Sequence, residues 1–220
     1  MEKYKMILFD LDGTLSDPKI GITKSVQYGL ENMGIFEPDL QKLECFIGPP
    51  LQDSFAEYYH MNENDILKAI DYYRERFKEK GMFENELYPG IQAMLESLKQ
   101  AGHKLIIATS KPTVFSEQIL EYFAIDRYFD QVVGSNLDGT RSSKTDIIDY
   151  ILNLYRDYDQ NDFVMIGDRK HDLIGAHNLG IDCIGVTYGY GSIDEIKGAS
   201  PTYMVSSVEE LKQILGNESK

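Results

Sequence analysis

Met6-Ile7-Leu8-Phe9-Asp10-Leu11-Asp12-Gly13-Thr14 is the stretch on which the fold turns. Four consecutive apolar residues read as a buried strand that ends at Asp10. In open α/β sheets, ligands sit beyond the carboxyl ends of the strands. Two carboxylates one residue apart at such an end can serve as a nucleophile and a general acid/base. Gly13 lets the backbone turn tightly behind them. The competing reading is a calcium loop, and it fails. Leu15 stands where an EF-hand loop needs its glycine, and Gly21 where it needs its last glutamate.

Similar apolar runs recur downstream at Lys104 to Ala108, Phe163 to Ile166, Ile181 to Val186 and Tyr203 to Val205. Helical spacings separate them. Ile91, Met94, Leu95 and Leu98 share one face that Gly102 closes, and Ile147, Ile148, Ile151, Leu152 and Tyr155 share another. Ser192 to Glu195 and Ser207 to Glu210 carry the capping-box pattern. Strands alternating with helices predict an α/β domain with a Rossmann-like parallel sheet.

One segment breaks this rhythm. From about Pro18 to Gly81 the pattern is helical, opened by Asp17 as cap with Pro18 at the first helical position. Asn62 caps a longer helix running to Lys80, and Tyr88-Pro89-Gly90 marks the return. The organisation predicted is a core of 1–16 and 84–220 with a small α-helical cap domain, 17–83, inserted after the first strand. Phe55, Tyr58, Tyr59, Tyr72, Tyr73 and Phe77 sit at helical spacings and read as the core of that cap.

Composition excludes several classes of function. The chain has 220 residues, 42% of them hydrophobic, which suffices for a real core. Its net charge of −14 repels polyanions, so no nucleic-acid polymer is an expected partner. It also requires any phosphate site to be neutralised locally. No apolar run approaches the roughly 20 residues needed to span a membrane. The first residues do not read as a signal peptide, so a cytoplasmic protein is expected. Cys45 and Cys183 have neither redox nor zinc spacing and read as small core residues. Asn217-Glu218-Ser219 matches a glycosylation sequon by chance.

Three further clusters lie at or just beyond strand ends. Thr109-Ser110-Lys111 places hydroxyls where a phosphoryl oxygen can accept from them. Lys144 opens a helix, where a lysine opposes the macrodipole and so suits an anionic ligand; Lys111 and Arg141 compete for that role. Gly167-Asp168-Arg169-Lys170-His171-Asp172 offers Asp168 and Asp172 as hard oxygen ligands, although aspartates near a helix start are also common caps. Gly189-Tyr190-Gly191 follows a strand as a dinucleotide fingerprint would, but Asp194 stands in place of the third glycine. His171 and His177 stand beside no Ser or Cys nucleophile pattern.

The order nucleophile, hydroxyl, lysine, metal acids, each at a strand end, resembles the four motifs of the haloacid dehalogenase (HAD) superfamily. The helical insertion resembles that superfamily's cap in the first loop. Gly167-Asp168-Arg169 with Asp172, and Tyr188 to Gly191, look like the phosphoglycolate phosphatase-like branch. Gly134 to Thr140 ahead of Lys144 looks like the HAD-type 5′-nucleotidase relatives. One departure is Ser143-Lys144-Thr145-Asp146, which keeps the lysine and lacks the prolines common there.

The resemblance implies a Mg²⁺-dependent phosphatase. Asp10 attacks phosphorus and Asp12 is acid and base. Mg²⁺ is held by the Asp10 carboxylate, the Asp12 carbonyl and Asp168, with Asp172 either a further ligand or orienting a water, while Thr109, Ser110 and Lys144 hold the phosphate. An acid at position 12 implies ester or anhydride hydrolysis, or transfer between sugars, over dehalogenation. By analogy, Lys24 and the loop carrying Gly48 and Pro49 face the substrate from the cap. The expected partner is a small phosphorylated metabolite, turned over by a monomer or homodimer. A 5′-nucleotidase leads, with phosphoglycolate phosphatase or pyrophosphatase, a sugar phosphomutase and a non-catalytic phosphate-binding protein as alternatives.

Overall fold

The computed structural model describes residues 4–216, so the Asn217 sequon and the first three residues lie outside it. The chain divides into two units, Met1–Ser16 with Leu87–Lys220, and Asp17–Glu86. The return to the first unit thus comes three residues later than the predicted boundary at 84, because Glu84 is tied into the helical unit by its side chain.

The first strand, β1 (Met6–Phe9), is fully buried, as the apolar run requires. Two-residue strands β2 (Ser16–Asp17) and β3 (Glu86–Leu87) pair where the chain passes from one unit to the other. Between them lies the helical unit. Helix α1 (Lys19–Asn32) starts one residue later than read from sequence: Pro18 occupies the cap position, and Asp17 Oδ1 accepts from the Lys19 N–H at 3.0 Å. A 3₁₀ segment, Leu40–Phe46, is followed by α2 (Leu51–Tyr59) and α3 (Glu63–Glu79), the last capped by Asn62 as expected. Phe46, Phe55, Tyr73 and Phe77 form the apolar centre; Phe46 meets Phe55 edge-on at 4.9 Å and Tyr73 stacks on Phe77 at 5.2 Å. Tyr58 departs from the expectation and is exposed, and Tyr59 and Tyr72 are only partly covered. Cys45 is likewise not a core residue; it lies part-exposed in the 3₁₀ segment, whereas Cys183 is buried.

The other unit continues with α4 (Ile91–Gln100), β4 (Lys104–Pro112), α5 (Thr113–Tyr122), β5 (Gln131–Ser135), α6 (Lys144–Leu154), β6 (Phe163–Gly167), α7 (Lys170–Asn178), β7 (Asp182–Val186), α8 (Ile193–Gly198), β8 (Tyr203–Val205) and α9 (Val208–Gly216). Six strands form one parallel sheet in the order β5-β4-β1-β6-β7-β8. The chain leaves β1 toward β4 and β5, then crosses back to β6. The strand order therefore reverses between β1 and β6, the switch point where ligands of open α/β sheets bind. Met6 and Leu8 on one face of β1 join Ile147, Ile148, Ile151, Leu173 and Ala176 of α6 and α7 in the core. Ile7 and Phe9 on the opposite face are equally buried. Burying each such side chain contributes about 1.5–3 kcal/mol, which fixes the strand that carries Asp10. No described helix is long and apolar enough to cross a membrane.

Two capping boxes are only half formed. Ser192 and Ser207 accept from the Glu195 and Glu210 N–H groups, but Glu195 turns to Arg169 Nε and the Lys170 N–H, and Glu210 to Ser206. Within the helical unit, Arg76 grips both oxygens of Glu84, at 3.0 and 2.9 Å, and donates to Ser25 Oγ at 3.1 Å. The hydrogen bond from Arg76 holds the Glu84 carboxyl below its ordinary pKa. A carboxyl so depressed stabilises the fold above its unfolded pKa, and the contribution disappears as pH falls through the folded value. Glu84→Gln should therefore lower the melting temperature at pH 7, and its difference from wild type should shrink as pH falls below the ordinary glutamate value of 4.5. Circular-dichroism melts across pH check this; a difference constant with pH would contradict it.

Candidate active site

Three of the four clusters stand where a strand of the sheet ends, and the fourth, Lys144, stands at a helix start. Asp10 follows β1, Thr109 to Lys111 lie in the last part of β4, Lys144 opens α6, and Asp168 follows β6. Here β4 differs from the sequence reading: it does not stop at Ala108 but runs to Pro112, with its register to β5 shifting between those residues. Such an irregularity re-aims side chains. Thr109 and Lys111 are buried, while Ser110 is part-exposed.

Lys144 is the hub. Its ammonium lies 2.7 Å from Asp10 Oδ1 and 2.6 Å from Asp172 Oδ1, and donates to the Ala108 carbonyl at 2.9 Å. Burial works against its charge, but the two carboxylates outweigh it and raise its pKa above the ordinary lysine value. Asp10 Oδ1 also accepts from the Leu11 N–H at 2.8 Å. Arg141 takes no part; it bonds Gly134 O and Asn136 Oδ1 and stacks on Tyr150. Lys111 pairs with Asp12 instead, Nζ to Oδ2 at 2.8 Å.

Asp10, Asp168 and Asp172 present carboxylate oxygens that all lie within 4.8 Å of one another, every one buried. Asp172 also caps its helix, Oδ2 accepting from the Arg169 N–H at 3.1 Å, so the two readings of that residue coexist. Three buried carboxylates with one ammonium, paired to two of them, leave negative charge uncompensated. Asp168 is accordingly pushed well above the usual carboxylate range by burial, then by Asp172 and Asp10. Burial also raises Asp172, against the pull of Lys144. A divalent cation with hard oxygen preference fits this donor set and supplies the missing charge. Asp12 is raised as well, by burial, with Lys111 opposing. Its Oδ1 has no hydrogen-bond partner among the described residues.

From sequence alone, Tyr188 to Gly191 reads as a mark of family resemblance with no place in the site, yet it belongs there. The Tyr190 N–H donates to Asp168 Oδ2 at 2.8 Å. A Cβ on Gly189 would lie 2.3 Å from the Gly13 carbonyl oxygen, 2.4 Å from Asp168 Cβ and 2.5 Å from Asp168 Oδ2, so only glycine lets the loop pass this close. Tyr188 donates to the Thr14 carbonyl at 3.0 Å and meets Tyr88 edge-on, bracing the Asp10–Thr14 turn, in which Gly13 has φ +80°. His177 contacts Cys183 Sγ at 3.4 Å and His171 is exposed; neither is gathered into the cluster. Lys24, Gly48 and Pro49 belong to the helical unit. There Lys24 Nζ lies 3.8 Å from Glu84 Oε1, and Gly48 and Pro49 form the part-exposed link ahead of α2.

The family model of haloacid dehalogenase-like hydrolases matches residues 7–186, from β1 to the end of β7. The chain belongs to that family. Among curated relatives, it is 48% identical to a 5′-nucleotidase of Pseudomonas aeruginosa over 97% of this chain and 96% of that one. It is 35% identical to the tyrosine-protein kinase PtkA of Mycobacterium tuberculosis over 98% of this chain and 74% of that one. A phosphoglycolate phosphatase of Vibrio parahaemolyticus is 26% identical, with 97% of each chain covered. A crystal structure of a predicted phosphatase from Clostridium acetobutylicum superposes with a TM-score of 0.92 at 53% identity, covering 96% of this chain and 97% of that one. The protein is an HAD-type phosphohydrolase.

In this hydrolase, Gly189→Ala should displace the Asp168 carboxylate and press on the Gly13 carbonyl in the turn that carries Asp10 and Asp12. Misplacing a reacting group by about 1 Å costs on the order of 10²-fold in rate. Phosphate release should fall by that order in protein that circular dichroism shows to be folded; an unchanged rate would show that the loop sets neither Asp168 nor the turn around Gly13.

Proposed function

We propose that the protein is a Mg²⁺-dependent phosphatase of small phosphorylated metabolites, working through an aspartyl phosphate on Asp10, with nucleoside 5′-monophosphates as the leading substrate class. The observation that carries the reading is the Asp10 carboxylate held 2.7 Å from a buried ammonium, beside two further buried carboxylates at the switch point of the sheet. The 48% likeness to a 5′-nucleotidase supports the substrate class.

Asp10 is positioned by Lys144 and the Leu11 N–H, so its second oxygen is the one presented to phosphorus. That oxygen forms a bond to phosphorus as the ester P–O bond breaks, and Asp12 gives a proton to the departing oxygen. Asp12 then takes a proton from the water that releases phosphate from Asp10. Asp10, Asp168 and Asp172, with the Asp12 carbonyl, would hold Mg²⁺, which supplies charge stabilisation to the transferring group. Lys144 neutralises the approach of a dianion to a carboxylate, and Thr109, with Ser110 beside it, offers hydroxyl donors for the phosphate. Phosphoglycolate hydrolysis is the second reading, supported by the Vibrio relative.

Phosphate release from nucleoside monophosphates, phosphoglycolate, pyrophosphate and hexose phosphates tests this, with Mg²⁺ and with chelator. Turnover is expected only with metal, highest on a nucleoside monophosphate, and lost in Asp10→Asn. Release from none of them by folded protein would favour a mutase or a phosphate binder. Metal binding has its own readout. Mg²⁺ at 100 times its Kd should stabilise the fold by about 2.7 kcal/mol, an effect that Asp168→Asn should abolish in thermal melts.

A further inference from the structure

Two buried lysines reach the acidic cluster, and the proposed mechanism uses only Lys144. That residue is fully engaged with Asp10, Asp172 and the Ala108 carbonyl. Lys111 addresses a different carboxylate, Asp12, through Oδ2 alone at 2.8 Å, with the two side chains only 6% and 9% exposed. Asp12 Oδ1 is buried beside it and has no hydrogen-bond partner among the described residues.

We propose that Lys111 is the positioning residue for Asp12: by occupying Oδ2 it presents Oδ1 as the oxygen that meets the leaving group. This rests on the phosphatase reading above. An ammonium has three donors and no acceptor, so the oxygen it touches serves as acceptor. The transferable proton therefore resides on Oδ1. As Asp10 bonds to phosphorus, the electron pair of the breaking P–O bond goes to the leaving oxygen. That oxygen takes the Oδ1 proton, leaving Asp12 as carboxylate, still held through Oδ2.

The backbone around Lys111 is built for a fixed direction. Its N–H donates to Thr109 Oγ1 at 3.3 Å, and β4 shifts register across this stretch. Gly134 on β5 has no Cβ where the Lys111 carbonyl passes; one would lie 2.2 Å from that oxygen. A buried ion pair with one oxygen bare is a poor device for stability, since desolvating two charges offsets their attraction. A role in which the bare oxygen meets substrate accounts for both features.

The leaving group supplies the test. Reading kcat/KM isolates phosphoryl transfer to Asp10 from the later hydrolysis. An alkyl phosphate such as a nucleoside 5′-monophosphate needs a proton on its leaving oxygen; 2,4-dinitrophenyl phosphate does not. Lys111→Met should lower kcat/KM on the nucleotide about 100-fold or more, and on the dinitrophenyl ester by less than about 10-fold, the range that general acid catalysis contributes. Lys111→Arg, which keeps a donor, should recover most of the nucleotide rate. Lys111→Gln is read by the same ratio should the Met variant fail to fold. Equal losses on both esters would overturn the assignment and make Lys111 a phosphate clamp or a structural ion pair, with the phosphatase reading intact. Wild-type protein inactive on both esters would instead sink the reading on which the assignment rests.

Discussion

The shortage of positive charge around Asp10 is the constraint on which the rest of the site depends. Asp10, Asp168 and Asp172, all buried, present carboxylate oxygens within 4.8 Å of one another, and one ammonium, Lys144, pairs with Asp10 and Asp172. Carboxylates in such surroundings lose hydration and repel each other, so burial drives Asp168 and Asp172 toward the protonated form. An arrangement of this kind is costly without a cation. It persists because the strands that carry it are anchored elsewhere. The apolar residues of β1 and β6 are almost wholly buried, and their hydrophobic stabilisation holds the acids in place.

Topology brings the acids together. Asp10 and Asp168 are 158 positions apart in the sequence, yet β1 and β6 are neighbours with Phe9 paired to Ile166. The crossover that makes them neighbours also places β4 on the far side of β1, so Thr109 and Lys111 approach the same turn from the other direction. Lys144 arrives from a helix start, where the macrodipole disfavours it. Its two carboxylate partners more than offset that cost, which explains a lysine at a position helix propensity would reject.

What could be read from the sequence follows from this. The motif Asp10-Leu11-Asp12-Gly13-Thr14 was legible because a continuous apolar run and an acid pair are local signals, and the parallel sheet because the runs alternate with helical spacings. The strand Gln131–Ser135 was not legible, since it begins with a polar residue and ends in Gly134-Ser135. The ion pair from Lys111 to Asp12 was hidden too, because it depends on strand order and on a register shift that no spacing reveals. Gly189 and Gly191 were visible as glycines but not as room for Asp168; their purpose is a close approach between segments about 20 residues apart. Cys45 was misjudged because burial preference is a tendency of residue type, while its place in a short 3₁₀ segment is set by Leu43 and Phe46 turning inward.

The two lysines pair with different carboxylates, Lys144 with Asp10 and Lys111 with Asp12, and on the proposed mechanism this separates two electrostatic tasks. In the proposed mechanism Lys144 stays charged beside Asp10 while a phosphate dianion approaches, and its position between two carboxylates favours that charge. The proposed acid role of Asp12 calls for the opposite balance: enough burial to hold a proton, and enough order to aim it. Burial raises Asp12 while Lys111 tempers the rise. A lysine shared between Asp10 and Asp12 would tie these settings together, so that any gain in nucleophile neutralisation would weaken the acid. Placing the cations on different elements, the end of β4 and the start of α6, lets each carboxylate be set by its own partner.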